Sequence, residues 1–474
     1  MTRPVLAVAS ECVPLVKTGG LADVVGALPR ALADAGWGLR TLMPGYPGVM
    51  AKLGPASEAL SIDNLFGGPA RVLALRHDGL DALVLDAPHL FARDGSPYLD
   101  AGGRDWPDND LRFAALCRAA ARIAAGAMGG WRPEVVHLHD WQAGLVPEYM
   151  AADGTRVPVV MTIHNIAFHG LAPASRMGVL GLDPARFTLD GFEYYGQVSA
   201  LKAGLVGADR ITTVSPGYAR ELTTPAFGMG LDGVIRARRE VVSGILNGID
   251  TGLWDPRTDP HIRRYQTPRG KADNRSALRA AFDLPDAAGP LAVVVSRLSQ
   301  QKGLDLLLDA VPGFVAAGGQ LALLGSGDRA LETAWARAAR SLPGVGVRIG
   351  YDEPLAHRMF AGGDAVLVPS RFEPCGLTQL YALRYGAVPV VARTGGLADT
   401  VIHANDAALR AGVATGILHA PDDTRALADA LEQLIALHAD DAAWKRMQGN
   451  GMKHPVGWES SSRAYAALYQ SLVA

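Results

Sequence analysis

Short apolar runs rich in Val, Ala and Leu recur along this chain, each followed by a glycine or polar turn and then a helical pattern. They include "PVLAVAS" (4–10), "EVVHLHD" (134–140), "VPVVMTIHN" (157–165) and "DRITTVS" (209–215), then "LAVVVSRL" (291–298), "QLALLGSGD" (320–328), "DAVLVPSRFE" (364–373) and "AVPVVARTGG" (387–396). Strands that are apolar on both faces and alternate with helices call for a parallel sheet covered on both sides. The runs fall into two series. Between them, residues 250–275 ("DTGLWDPRTDPHIRRYQTPRGKADNR") are dense in Pro, Asp and Arg, lack apolar periodicity and read as a connector. The expected fold is therefore α/β, with two Rossmann-like doubly wound domains facing a cleft. The expected boundaries are 1–248 and 249–456, with a separate helical segment at 457–474 ("GWESSSRAYAALYQSLVA").

A length of 474 residues suits two or three domains, and 49% hydrophobic with 19% charged residues is an ordinary globular mixture. A formal net charge of −2 provides no electrostatic case for nucleic acid or an anionic membrane. The three cysteines, Cys12, Cys117 and Cys375, show no paired spacing, which argues against a disulfide framework. Glu11 breaks the apolar N-terminal run too early for a signal peptide, and no stretch approaches the ~20 apolar residues of a membrane span. A cytoplasmic protein is expected.

The nine residues "KTGGLADVV" (17–25) return almost unchanged as "RTGGLADTV" (393–401). Their flanks do not align, so shared local physics explains the likeness better than duplication. In each copy Gly-Gly permits a tight turn at positive φ and close backbone approach. Asp23 or Asp399 would then fall in the first helical turn, where a carboxylate favours the helix dipole. The first copy, with Lys17, Gly19 and Gly20, offers an anion free N–H groups and a cation; a solvated loop lysine is the alternative.

Arg297 and Lys302 in "SRLSQQKGLD" lie between a strand and a helix starting near Leu304, a pairing of planar fork and point charge that suits a diphosphate. A P-loop is absent. Gly325 in "LLGSGD" marks a further strand-end turn. Glu373 ends the strand of "PSRFEPCGLTQ", ahead of a helix near Leu377, and is placed to meet a ligand; a capping or ion-paired glutamate is the alternative. "HLHDWQAG" sets His137 and His139 on one strand face, followed by Asp140. With His164 and His169 in "TIHNIAFHG", a metal site comes to mind, but the acidic ligands such a site needs do not follow. No metal is expected. Cys375 has no visible histidine partner and reads as a packed thiol.

"KTGGLADV", "HDWQAGL", "TIHNIAFHG", "TTVSPGYARE", "ILNGID", "RLSQQKGLDL" and "PSRFEPCGLTQLYALRYGAVPVVARTGGLADTV", in that order, resemble the bacterial glycogen synthases, a family that includes plant starch synthases. The resemblance covers essentially the whole chain. It implies a retaining glycosyltransferase of the GT-B type, moving glucose from ADP-glucose to the non-reducing end of an α-1,4-glucan, glycogen, without a cofactor. It implies that the 1–248 domain carries the acceptor side and part of the donor site, that 249–456 binds the nucleotide sugar, and that the last helix packs back on the first domain. By the same resemblance Lys17, Gly19, Gly20 and Asp23 meet the donor, and Arg297 and Lys302 hold the diphosphate. Glu373, Cys375, Gly376, Leu377 and Thr378 contact glucose and phosphate, and His164 and Asn165 flank the sugar. Asp140, Asn247 and Gly325 belong to the same site, with Tyr98 toward acceptor or sugar and Tyr351 toward adenine. The chain departs from wider retaining families in carrying Tyr381 eight residues after Glu373, where those have a second Glu. It departs from many relatives in carrying Gln142 after Asp140-Trp141, where His is expected. A glucan phosphorylase-like transferase and a catalytically silent glucan-binding protein on the same fold are the rival readings.

Overall fold

The computed structural model describes residues 2–474, which form two compact units: one runs to Asn247 and also takes in Glu459–Ala474, the other spans Gly248–Trp458. In the first unit the strands are β1 (Arg3–Val8), β2 (Trp37–Pro44), β3 (Ser57–Ile62), β4 (Ala70–His77), β5 (Leu80–Asp86), β6 (Val135–His139) and β7 (Val159–Ile163). Next come β8 (Leu171–Pro173), β9 (Glu193–Tyr194) and β10 (Gln197–Ser199), which make a small sheet of their own, then β11 (Arg210–Thr213) and β12 (Val242–Gly244). The main sheet runs β12-β11-β7-β6-β1-β2-β5-β4-β3. β1 is its pivot, with Val5 beside Leu39 of β2 on one side and Val135 of β6 on the other, both in parallel. β6 and β7 are buried at every position, as a strand covered by helices on both faces must be. β4 pairs antiparallel with both neighbours and, like edge strand β3, keeps exposed positions.

The second unit holds β13 (Leu291–Val295), β14 (Gln320–Gly325), β15 (Val345–Ile349), β16 (Ala365–Val368), β17 (Val388–Ala392) and β18 (Ile417–His419). Their order is β15-β14-β13-β16-β17-β18, with every pairing parallel. Because side chains alternate across a strand, β13 feeds two cores. Leu291 and Val293 pack with Met359 and Phe360 on one face; Ala292 and Val294 pack with Leu307 and Trp335 on the other.

Residues 250–275 are not the connector their composition indicates. Trp254 stacks on His357 at 3.8 Å and on Tyr381 at 4.0 Å between ring centroids, and buried Asp259 accepts hydrogen bonds from His357 and Tyr385. The segment is packed into the second unit through aromatic and polar contacts that leave no periodic signature. Tyr381, where wider families carry a second glutamate, is part of that aromatic stack.

The helix Glu459–Val473 belongs to the first unit and buries Ser461, Tyr465 and Tyr469, spaced at i, i+4, i+8 on one face. The Tyr469 ring meets Trp37 edge-on at 5.2 Å, and its hydroxyl bonds His137 Nδ1 at 2.6 Å. Tyr469→Phe keeps the packing and strands His137 Nδ1 in the core, so it is expected to destabilise this unit by about 1–3 kcal/mol in urea unfolding. An unchanged midpoint would mean that the bond contributes nothing net.

Candidate active site

In an open parallel sheet, ligands bind outside the carboxyl ends of the strands where the strand order reverses. In the first unit that point lies between β1 and β6, and in the second between β13 and β16. Most of the sequence-derived candidates follow strands at or beside these two places; Asn247, after edge strand β12, and Tyr351, after edge strand β15, do not.

At the end of β1, Glu11 is 3% exposed and ties the following loop together. Its carboxylate accepts from the Thr18 and Gly19 N–H groups, from the Thr18 hydroxyl at 2.6 Å and from the Tyr98 hydroxyl; Ser10 Oγ lies 2.8 Å from the same Tyr98 oxygen. The expectation of free amides at this first nonapeptide is thus corrected at Thr18 and Gly19, where the chain's own carboxylate takes the place of an anion. The expected positive φ is also absent: Gly19 is extended at φ −157°, and Gly20 opens the helix Gly20–Ala33. Lys17 pairs with Asp23 at 2.8 Å. Glu11 was missed as a site residue; its signal is a lone acid directly after an apolar strand and just ahead of a Lys-Thr-Gly-Gly turn.

At the end of β6, Asp140 takes φ 56°, a strained value for a residue with a side chain. Its Oδ1 accepts from the His164 N–H at 2.7 Å and the Asn165 N–H at 3.3 Å, joining β6 to the end of β7. Desolvation pushes the Asp140 carboxyl up to about 7, with nearby Glu11 adding to the rise and the two backbone donors opposing it. His164 Nε2 lies 3.0 Å from His139 Nδ1, and burial holds His164 neutral, down to about 3. Gln142 is 7% exposed with a buried Oε1 that has no partner among the described residues, and the same holds for Asn247 Oδ1.

In the second unit, Lys302 Nζ stands 2.5 Å from Glu373 Oε2, which also accepts from the Ser370 hydroxyl at 2.9 Å. Arg297 is exposed, with no side-chain partner among the described residues. Its loop is held from both sides, since Leu298 bonds Ser326 and Asp328 through the backbone. Gly325 is required there: a Cβ would lie 2.0 Å from Ser296 O. The loop ahead of Glu373 is anchored by Arg371, whose guanidinium forks onto Asp305 at 2.8 and 2.7 Å. Gly376, at φ 71°, turns the chain through Cys375 and Leu377 into the short helix Thr378–Arg384. Gln379, buried and also missed, clamps that turn by donating to Cys375 O and Gly376 O. Tyr351 lies beyond the end of β15, at the flank of the sheet away from the reversal, and its hydroxyl donates to Glu353 at 2.6 Å.

The second nonapeptide supports Glu373 from behind. Gly395 takes φ 42°, and a Cβ on it would lie 2.2 Å from Glu373 O; one on Gly396 would lie 2.4 Å from Cys375 O. The two copies therefore meet different needs. In the second, Asp399 falls beyond the first turn of the helix Gly395–Thr400, contrary to expectation.

Two Rossmann-like doubly wound units with parallel sheets make the architecture of the GT-B class, and the similarities that follow place the chain among its glycosyltransferases. Residues 4–237 match the family described as "Starch synthase catalytic domain", and 289–437 match "Glycosyl transferases group 1". A glycogen synthase of Jannaschia sp. (strain CCS1) is 60% identical over 471 residues, covering 99% of each chain. One from Paracoccus denitrificans (strain Pd 1222) is 58% identical over 475 residues and covers 100% of each. The catalytic domain of starch synthase IV from Arabidopsis thaliana, solved with ADP and acarbose, aligns at TM-score 0.89 and 30% identity over 100% of both chains. The chain belongs to the glycogen synthase family and is a hexosyltransferase.

Proposed function

We propose that this chain elongates glycogen in the cytoplasm, transferring glucose from ADP-glucose to the non-reducing end of an α-1,4-glucan with retention of configuration. One observation carries the chemistry: Arg297, with no side-chain partner among the described residues, and Lys302 follow β13, and Lys302 pairs at 2.5 Å with Glu373, which follows β16, the two strands between which the second sheet reverses. Cleavage of the sugar–phosphate bond puts positive charge on the glucose ring and negative charge on the departing diphosphate. Two preorganised cations stabilise that diphosphate. As the diphosphate draws Lys302, the Glu373 carboxylate is released to accept from sugar hydroxyls. Glycosidase-style retention uses two carboxylates about 5–5.5 Å apart. The position that supplies a second glutamate in wider families is here Tyr381, stacked on Trp254. Same-face attack by the glucan hydroxyl, with its proton passing to the leaving phosphate, fits this side-chain set better.

The phosphorylase-like rival needs a lysine free to form a Schiff base with pyridoxal phosphate. Buried Lys271 is not available for it, because its ammonium donates to Phe360 O, Ala361 O and Tyr385 O at 2.9, 2.8 and 3.0 Å. Among the described residues no three His, Cys, Asp or Glu side chains are grouped to hold a metal ion, and no helix is long and apolar enough to cross a membrane.

Donor competition tests the reading directly. With glycogen as acceptor, ADP-glucose is expected to outcompete UDP-glucose in kcat/KM, and the reverse order would overturn the assignment of the donor. Activity is expected to survive exhaustive chelation. Loss with EDTA and rescue by a divalent ion would show that Arg297 and Lys302 are not sufficient for the leaving group.

A further inference from the structure

We infer that His139 is a positioning residue that fixes the tautomer of His164, so that His164 presents its Nδ1–H as a hydrogen-bond donor to a hydroxyl of the transferred sugar. The role of the sugar rests on the function proposed above; the tautomer does not. His139 is fully buried at the end of β6, and its Nδ1 lies 3.0 Å from His164 Nε2. Two neutral imidazoles at this distance share one proton, and only one of them donates it.

The rest of the His139 ring decides which. Its Nε2 is buried and has no partner among the described residues. Neighbouring His137, its ring tilted at 36° and 4.2 Å away between centroids, cannot serve it, since its own nitrogens are taken by Tyr469 and Thr162 at 2.6 Å each. If His164 donated, His139 would carry its proton on Nε2 and bury an N–H with no acceptor. Such orphan donors are rare in folded proteins, and leaving one costs about 1–3 kcal/mol. If His139 donates from Nδ1, its Nε2 is only a bare lone pair, and His164 must hold its single proton on Nδ1. Burial keeps both rings neutral, so a second proton does not blur the choice. His164 Nδ1 has no partner among the described residues, and Asp140 fixes the backbone beneath the ring by accepting the His164 N–H at 2.7 Å. Hydrogen bonding of the second ring nitrogen is a general means of setting which imidazole nitrogen faces a ligand.

Two-bond ¹H–¹⁵N correlation of the full chain labelled with ¹⁵N-histidine reads the tautomer without any activity. His164 is expected to show a protonated Nδ1 and a bare Nε2, with the opposite pattern in His139. A protonated Nε2 on His164 would overturn the inference. Kinetics separate positioning from packing. Asn at 139 places an amide N–H near the Nδ1 position, whereas Leu fills the space and donates nothing. His139→Leu is expected to lower kcat/KM by about tenfold or more, with Asn restoring most of the loss. Equal losses in the two variants, with the wild-type tautomer retained at His164, would reduce His139 to a packing residue. A wild-type chain that failed to transfer glucose would sink the functional reading and leave the spectrum to judge the tautomer.

Discussion

Replacing Arg297 or Lys302 by alanine is expected to lower kcat by about 10²–10³, the usual cost of removing one preorganised electrostatic partner of the transition state. The diphosphate is already anionic in the bound donor, so each cation contributes some ground-state affinity and KM should rise as well. Its charge grows as the bond breaks, so the larger effect belongs to kcat. The structure separates the two residues. Arg297 is exposed and has no side-chain partner among the described residues, so its loss should leave stability unchanged. Lysine should replace it poorly, because the planar fork is lost. Lys302 is bound to Glu373, which is 7% exposed, and Lys302→Ala leaves that buried carboxylate with the Ser370 hydroxyl but without its cation. Lys302→Ala should therefore also destabilise the second unit, and adding Glu373→Gln should recover stability without recovering activity. Steady-state kinetics at saturating glucan, beside urea unfolding, would test both halves. A steep rise in KM with kcat unchanged would make the two cations uniform binding groups and remove them from leaving-group stabilisation.

The second large effect is expected from Gly303→Ala. Gly303 lies between Lys302 and the helix Leu304–Ala316 at φ 64°, and a Cβ built there would sit 2.0 Å from Pro369 O. The substitution combines a left-handed backbone penalty with a collision against main chain, which cannot move aside as a flexible side chain can. A loss of roughly 2–5 kcal/mol in unfolding free energy is expected. Because Pro369 leads into the Glu373 loop, turnover should fall too. Gly313→Ala in the same helix is the control: nothing lies within 4 Å of its Cβ, so a gain of about 0.5–1 kcal/mol is expected there. If the two variants unfolded alike, the contact with Pro369 would not be what glycine serves at 303.

Much of this was legible in advance because it is local. β6, β7, β11, β13, β14, β16 and β17 lie within the apolar runs, and β1 does apart from Arg3, since a strand buried on both faces needs mostly apolar side chains. β4 and β5 escaped notice because "ARVLALRHDGLDALVLD" mixes Arg, His and Asp into its pattern: β4 keeps exposed positions, and β5, though it has none, ends on Asp86, which pairs with Arg71. Residues 250–275 misled for a related reason: Trp254, Asp255 and Asp259 are buried by aromatic stacking and ion pairing, neither of which has a period.

The sequence by itself determined the fold class and, through its ordered motifs, the family. Each depends on hydrophobic alternation within a few residues or on residue identity alone. Tertiary structure decided the partners. Only the folding of the loop after β1 gives Glu11 the amides of Thr18 and Gly19, and only the pairing of β6 with β7 sets His139 against His164. Only the packing of β16 beside β17 turns the second nonapeptide into a support for Glu373. A hydrogen bond between residues distant in the chain depends on strand order and register, and no local pattern in the sequence carries those.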